Sequence, residues 1–446
     1  MTATEYPLSF NQEFLCGFDK GEAEGAFSRR HTLVFGWRLT GVVNLSNLRD
    51  ALADLVVRHE PLRTSIEQGP DGYRQFVHEP SVPNLTVTEL SGSGSRDDQA
   101  EEFLNTLDAG EYSAWDLPLV HAFLGRFDER DSVLVLAVHH VSTDLSSMQL
   151  LIRDLAALYT ARSRDTEPAL PPVVPYREFA TWQTEHIRGE KVAQSLEYWR
   201  GKLDGARIQA LPTDRAKSDE LVNQYAVHRF VFDRESTSAM LKFAASVRSS
   251  AFIVLVAAYN VLLHRRLGTT DAVVPSFTSG RSEDRFLDTV GPMFNYLLLR
   301  TDLSGEPTFR EIVKRTRNTC FESYLNDIPF GLIAGQNPDL LAGFADPAGS
   351  VVAFEVLQVE REITDGTMDE VRYSEIRRRV RSQALSSDIP DGVLWANEVL
   401  PTGELCGSVK YNVNLFDEAT IVKLVNEFGE VLTRAVADPD SRLQDI

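Results

Sequence analysis

The feature that most constrains the fold is the apolar run 133–138, Val-Leu-Val-Leu-Ala-Val, which ends in the adjacent histidines His139 and His140. A short run rich in valine predicts a strand buried on both faces. Asp144, Ser146 and Ser147 follow, and then Met148, Leu151, Ile152, Leu155, Leu158 and Tyr159 recur at helical spacing. Ser146 or Ser147 is the expected cap of that helix. Two imidazoles therefore sit at the carboxyl end of a central strand, just before a helix, where α/β folds tend to bind ligands.

Neighbouring side chains on an extended segment point opposite ways, so only one of the two histidines faces a cavity. An imidazole with an ordinary pKa accepts a proton at neutral pH. One histidine is thus a candidate base and the other a structural residue. Asp144 is placed either to pair with an arginine and brace the loop, or to orient an imidazole. A His-His pair alone is an ordinary solvated turn; its position between a buried strand and a helix is what gives it weight.

Composition excludes several classes. A net charge of −20 argues against nucleic acid and anionic membranes as partners. No apolar run approaches the roughly 20 residues of a spanning helix, and the N-terminus has neither the basic region nor the apolar core of a signal peptide. Cys16, Cys320 and Cys406 are far apart and odd in number, which suits a reducing cytoplasm. No Cys/His cluster has metal-ligand spacing, and no P-loop or dinucleotide-binding glycine motif is present.

Along the chain, a helix capped by Ser9 is expected first, then a strand over 32–39 and a helix from Asn44 or Ser46 that stops at Pro61. Strands over 73–78, 85–90, 119–126 and 132–138 and a helix over 99–106 complete one α/β unit. Residues 163–175 are charged and then proline-rich, the clearest linker composition in the sequence. Helices follow at Tyr176, over 195–203, over 251–266 and over 308–326. Strands are expected over 226–232, 272–277 and 290–300, then near 351–359, 391–398 and 404–413, before a last helix over 418–435. Strand and helix patterns thus alternate in two halves, 1–175 and 176–446.

Seven short motifs occur in order: Ser9 and Gln12; Arg58, His59, Leu62, Arg63 and Thr64; His139, His140 and Asp144; Tyr176, Phe179, Ala180 and Trp182; Val290, Gly291 and Asn295; Pro329 and Phe330; and Tyr411, Asn412, Leu415, Phe416 and Asp417. With them the chain resembles the condensation domains of non-ribosomal peptide synthetases, over nearly its whole length. The resemblance implies two chloramphenicol-acetyltransferase-like α/β halves, forming a V-shaped pseudo-dimer with a tunnel at their interface. It implies transfer of an acyl or aminoacyl group from a phosphopantetheinyl carrier-protein thioester to a small-molecule hydroxyl or amine. No bound cofactor is expected, because the phosphopantetheine arm arrives with the peptidyl carrier protein. His140 would be the tunnel-facing histidine, acting as general base or positioning the nucleophile. His139 would be architectural, and Asp144 would be salt-bridged to Arg63. Ser147 and Asn295 would line the tunnel.

Adenylation and carrier-protein motifs are absent, so the chain looks like a free-standing condensation enzyme, similar to those of enediyne antibiotic biosynthesis. Where the family usually has glycine after the aspartate, this chain has Leu145. Leucine does not reach positive φ cheaply, so a different loop, or an inactive recruiting module, is the alternative. A coenzyme A-dependent acyltransferase is a further alternative, disfavoured by the absence of the Asp-Phe-Gly-Trp motif of that group. The basic run Arg372, Arg377, Arg378, Arg379 and Arg381 stands out in an acidic chain. It is either a solvated face or, through Arg377, Arg378 and Arg379, a docking patch for an acidic carrier.

Overall fold

The computed structural model describes residues 4–70, 72–218, 220–357, 365–377 and 381–446. Its first half is built around the strand Asp131–His139, buried along almost all its length. That strand pairs antiparallel with Thr32–Thr40 on one side and Val120–Arg126 on the other. Both of its faces are covered. Leu134, Leu136 and Val138 pack with the helices Leu45–Arg58 and Leu145–Arg164, whereas Val133, Val135 and Ala137 meet Ala100 and Leu104 of Arg96–Asp108. The unbroken apolar run follows from this two-sided burial, even though its neighbours are antiparallel.

The second half centres on a five-stranded sheet in the order Ala210–Pro212, Gly349–Val356, Val393–Val399, Leu405–Asn412, Tyr225–Phe232. One face is packed by Ala251–Leu267 and Glu418–Ala437. There Phe354 and Trp395 meet Tyr259 and Phe428 in a cluster of rings 4.6–5.8 Å apart. A separate antiparallel pair, Asp271–Thr278 with Asn295–Asp302, carries the Val-Gly-Pro-Met turn at its head.

The halves are not separate in space. The hairpin Asp365–Met368 and Val371–Glu375, from the second half of the chain, joins the first half's sheet beside Thr32–Thr40. The proline-rich stretch before Tyr176 is coil, as its composition implies. No single helix among the described residues is long and apolar enough to cross a membrane.

Candidate functional site

The strand Asp131–His139 ends in a short 3-10 turn, His140–Ser142. The turn separates the two imidazoles as the extended geometry predicts. His139 is buried: its Nε2 donates to the Ser28 carbonyl at 2.9 Å, and its Nδ1 accepts from the Val141 N–H at 3.3 Å. Burial pushes its pKa down to about 4. This ring is a neutral structural strut.

His140 is only partly buried, and its Nδ1 is shielded without a hydrogen-bond partner, which leaves Nε2 as the accessible nitrogen. One ring from each half holds it. His31 stacks on it at 4.8 Å and 21°, and Phe294 meets it edge-on at 5.5 Å. Burial lowers the His140 pKa, with Lys410 of the second half adding to the effect; carbonyls near the ring and Asp144 act the other way. The imidazole is therefore a free base at neutral pH, with one nitrogen open.

His31 belongs to none of the seven motifs. It is buried, donates from Nδ1 to the Ala26 carbonyl at 2.8 Å, and its own carbonyl accepts from the His140 N–H at 2.9 Å. The signal for it lies in strand register: Thr32 pairs with His139, so residue 31 stands opposite residue 140. That pairing is a tertiary fact, not a local pattern.

Asp144 caps the helix Leu145–Arg164 in place of either serine, accepting from the Ser147 N–H at 2.8 Å. Its partner is not Arg63. Arg281, from the second half, makes a bidentate pair at 2.7 and 2.9 Å, and the Met293 N–H adds a fourth donor at 2.9 Å. Both carboxylate oxygens then accept two bonds each, so none remains to orient His140. Burial alone would raise this carboxyl, but the Arg281 charge and the N–H donors outweigh it and hold it below its ordinary value. Arg63 instead donates to the carbonyls of Val56 and His78, tying the turn Glu60–Arg63 to the end of the helix Leu45–Arg58 and to the strand Gly72–Val77. His59 is likewise structural, bonded through Nε2 to the buried Asp154 at 2.9 Å.

Ser147 is fully buried, and does not line a tunnel. Its hydroxyl donates to the Gly291 carbonyl and accepts from the Gly291 N–H and Arg281, each at 3.0 Å. Gly291, at φ +153°, is required here: a Cβ would stand 2.0 Å from the Tyr176 ring. The Tyr176 hydroxyl donates to the Pro292 carbonyl at 2.8 Å and accepts from Ser9, 2.6 Å away. Three further motifs therefore converge on Asp144 in one brace beneath the loop. Asn295 also turns its amide inward, donating to Asp327 and the Ile328 carbonyl and accepting from the Phe330 N–H. It secures the Pro-Phe segment to its strand.

Leu145 occupies the first helical position and is not among the residues at positive φ. The loop has no need of glycine there. Arg377 points inward, paired with Glu375 at 3.2 Å and Glu398 at 2.9 Å, which removes it from a docking patch. Arg378 and Arg379 lie outside the described residues.

The chain matches the condensation-domain family model over residues 2–446. It is similar to SgcC5 of Streptomyces globisporus, at 41% identity and a TM-score of 0.94, covering 98% of this chain and 100% of that one. The X-domain from teicoplanin biosynthesis shares the fold at 24% identity and a TM-score of 0.82, over 100% of this chain and 98% of that one. A linear gramicidin synthase polypeptide of Brevibacillus parabrevis is 30% identical over 99% of this chain, which spans only 6% of that protein. The two facing α/β halves, the histidine held between them and these likenesses agree: the chain belongs to the condensation-domain family.

Proposed function

We propose that the protein transfers an acyl or aminoacyl group from a phosphopantetheinyl carrier thioester to a hydroxyl or amine of a small molecule, as a step in natural-product biosynthesis. The observation that carries this reading is His140, a neutral imidazole clamped between one ring of each half with Nε2 open. The nucleophile's oxygen or nitrogen attacks the thioester carbonyl while Nε2 takes its proton. The tetrahedral adduct collapses, the C–S bond breaks, and the imidazolium returns the proton to the leaving thiolate. No covalent acyl-enzyme is needed.

Much of the rate comes from holding two reactants together, since a thioester is already activated. The N–H groups of Leu145 and Ser146 make no hydrogen bond among the described residues, and they stand at the positive end of a 20-residue helix. They are suited to stabilise the developing oxyanion. The solved SgcC5 structure contains an aryl-1,2-ethanediol, which supports a hydroxyl acceptor.

The test is a mass assay with aminoacyl-loaded carrier and a panel of diols and amines, beside His140→Ala. Product that needs both carrier and His140 is expected, and its linkage identifies the nucleophile. Equal product from His140→Ala would refute the base. Carrier binding without turnover across the panel would favour a recruiting module.

A further inference from the structure

The sheet face turned toward the first half carries a carboxylate that the condensation step does not use. Phe354, Trp395 and Val409 point into the helix-covered core. The alternate residues therefore face the other way: Ala353, Leu394 and Lys410 align in one row, and Glu355, Ala396 and Ser408 in the next. Two contacts show that this face looks across at the first half. Lys410 donates to Ser387, whose hydroxyl is 3.2 Å from Asp108. Further along, Glu398 is bridged by Arg377 to Glu375, which in turn accepts from Gln149 of the helix that follows Asp144.

Glu355 lies in the row of the sheet between those that carry these two bridges. Its carboxylate has no ion pair or hydrogen bond among the described residues, yet its oxygens are not sealed from solvent. The bridging side chains around it, Lys410, Arg377 and Glu398, already have partners. A half-buried carboxylate with no cation beside it is partly stripped of water at a cost, and that desolvation pushes this one up to about 7. Glutamine would fill the same space without the charge, so the carboxylate is a liability to the empty protein unless a ligand meets it.

We propose that Glu355 is a specificity residue that binds a protonated amine of a substrate in the space between the halves. The inference rests on the proposed condensation reaction for its setting, but not for its test. The shared chemistry is an ammonium group, carried either by the acyl donor or by the acceptor. An ammonium brought against the carboxylate forms a charge-assisted hydrogen bond in a low-dielectric space.

Binding is measured by calorimetry on the intact protein and on Glu355→Gln. One probe pair mimics the donor: phenylalanyl- or β-phenylalanyl-aminopantetheine, with an amide in place of the thioester, against the 3-phenylpropionyl compound. The second pair mimics the acceptor: 2-amino-1-phenylethanol against 1-phenyl-1,2-ethanediol. The intact protein should prefer the amine-bearing member of one pair by about tenfold or more, and Glu355→Gln should erase that preference without weakening the neutral partner. The pair that responds identifies the source of the amine. Preference in neither pair, or a preference that survives Glu355→Gln, overturns the proposal. Because the probes do not react, failure of condensation in the mass assay leaves this result to stand on its own. Melting temperature supplies a second readout: at pH 8 Glu355→Gln should be more stable than the wild type, and an unchanged or lower value would contradict the unpaired carboxylate.

Discussion

Asp144 and Arg281 join the halves through a pair whose side chains are only 6% and 3% exposed. Asp144→Asn removes the charge but keeps an oxygen to cap the Ser147 N–H, so the capping contribution of about 1 kcal/mol is retained. What remains is a buried guanidinium without a counterion, and breaking such a pair costs about 3–5 kcal/mol. That is a large part of a typical total stability of about 5–15 kcal/mol. Arg281→Met leaves the opposite charge buried, with two N–H donors still in place, and should cost about 3 kcal/mol. Removing both charges should cost less than the two singles together by about 2 kcal/mol. Urea unfolding of the four proteins, followed by tryptophan fluorescence and compared at equal slope, measures the coupling. The pH dependence has a definite sign. The folded pKa of Asp144 is depressed, so its contribution is complete above the ordinary carboxylate pKa of 3.8 and is lost as pH falls below it. Asp144→Asn should remove that part of the acid limb. Costs that add to within about 0.5 kcal/mol, or a coupling of Asp144 to Arg63 as large as that to Arg281, would refute the assignment.

Other residues give equally direct tests. His31→Phe keeps a ring against His140 and should preserve most of kcat, whereas His31→Ala admits water, lowers kcat about tenfold and moves the acid limb of the rate profile upward; matching profiles for the two variants would deny the stack its role. Gly291→Ala should destabilise by at least about 1–3 kcal/mol, because a Cβ meets the Tyr176 ring at an unfavourable φ; Tyr176→Ala in the same chain should recover part of the loss in thermal unfolding. Arg377→Ala leaves Glu375 and Glu398 without their shared cation, and should lower the melting temperature while leaving carrier affinity unchanged; a large rise in the carrier Kd with normal stability would restore the docking reading. His139, neutral down to about pH 4 in the folded chain, should cost up to about 3 kcal/mol of stability as pH falls from about 6.5 to 4, a loss visible as an earlier acid transition than in His139→Gln.

What the sequence displays well is anything set by local pattern. The run 133–138, the stripe after Asp144 and the proline-rich stretch each report burial or chain geometry over a few residues, and each stands where expected. His140 is legible because it sits at a strand end in a motif. The partner of Asp144 is not, since two arginines, Arg63 and Arg281, offer the same chemistry and only the approach of the halves selects one. Ser147 and Asn295 are expected to line a tunnel, but the Ser147 hydroxyl serves the brace and the Asn295 amide holds the Pro-Phe segment, a distinction of side-chain direction that spacing does not encode. The hairpin Asp365–Glu375 escapes a sequence reading for a related reason: its four- and five-residue strands carry little apolar alternation, and they gain their stability from the edge they cover.

That hairpin also ties the order of synthesis to the order of folding. Thr40 pairs with Arg372, so the first half's sheet keeps one open edge until most of the chain has left the ribosome. During that interval Thr32–Thr40 offers unpaired backbone groups beside a strongly apolar strand, a template for pairing with other chains. A contact between such distant positions forms late, because the loop it closes is long. The halves are therefore unequal as fragments: residues 1–175 expressed alone would carry the open edge, and supplying the second half in trans would have to deliver a strand as well as a partner surface.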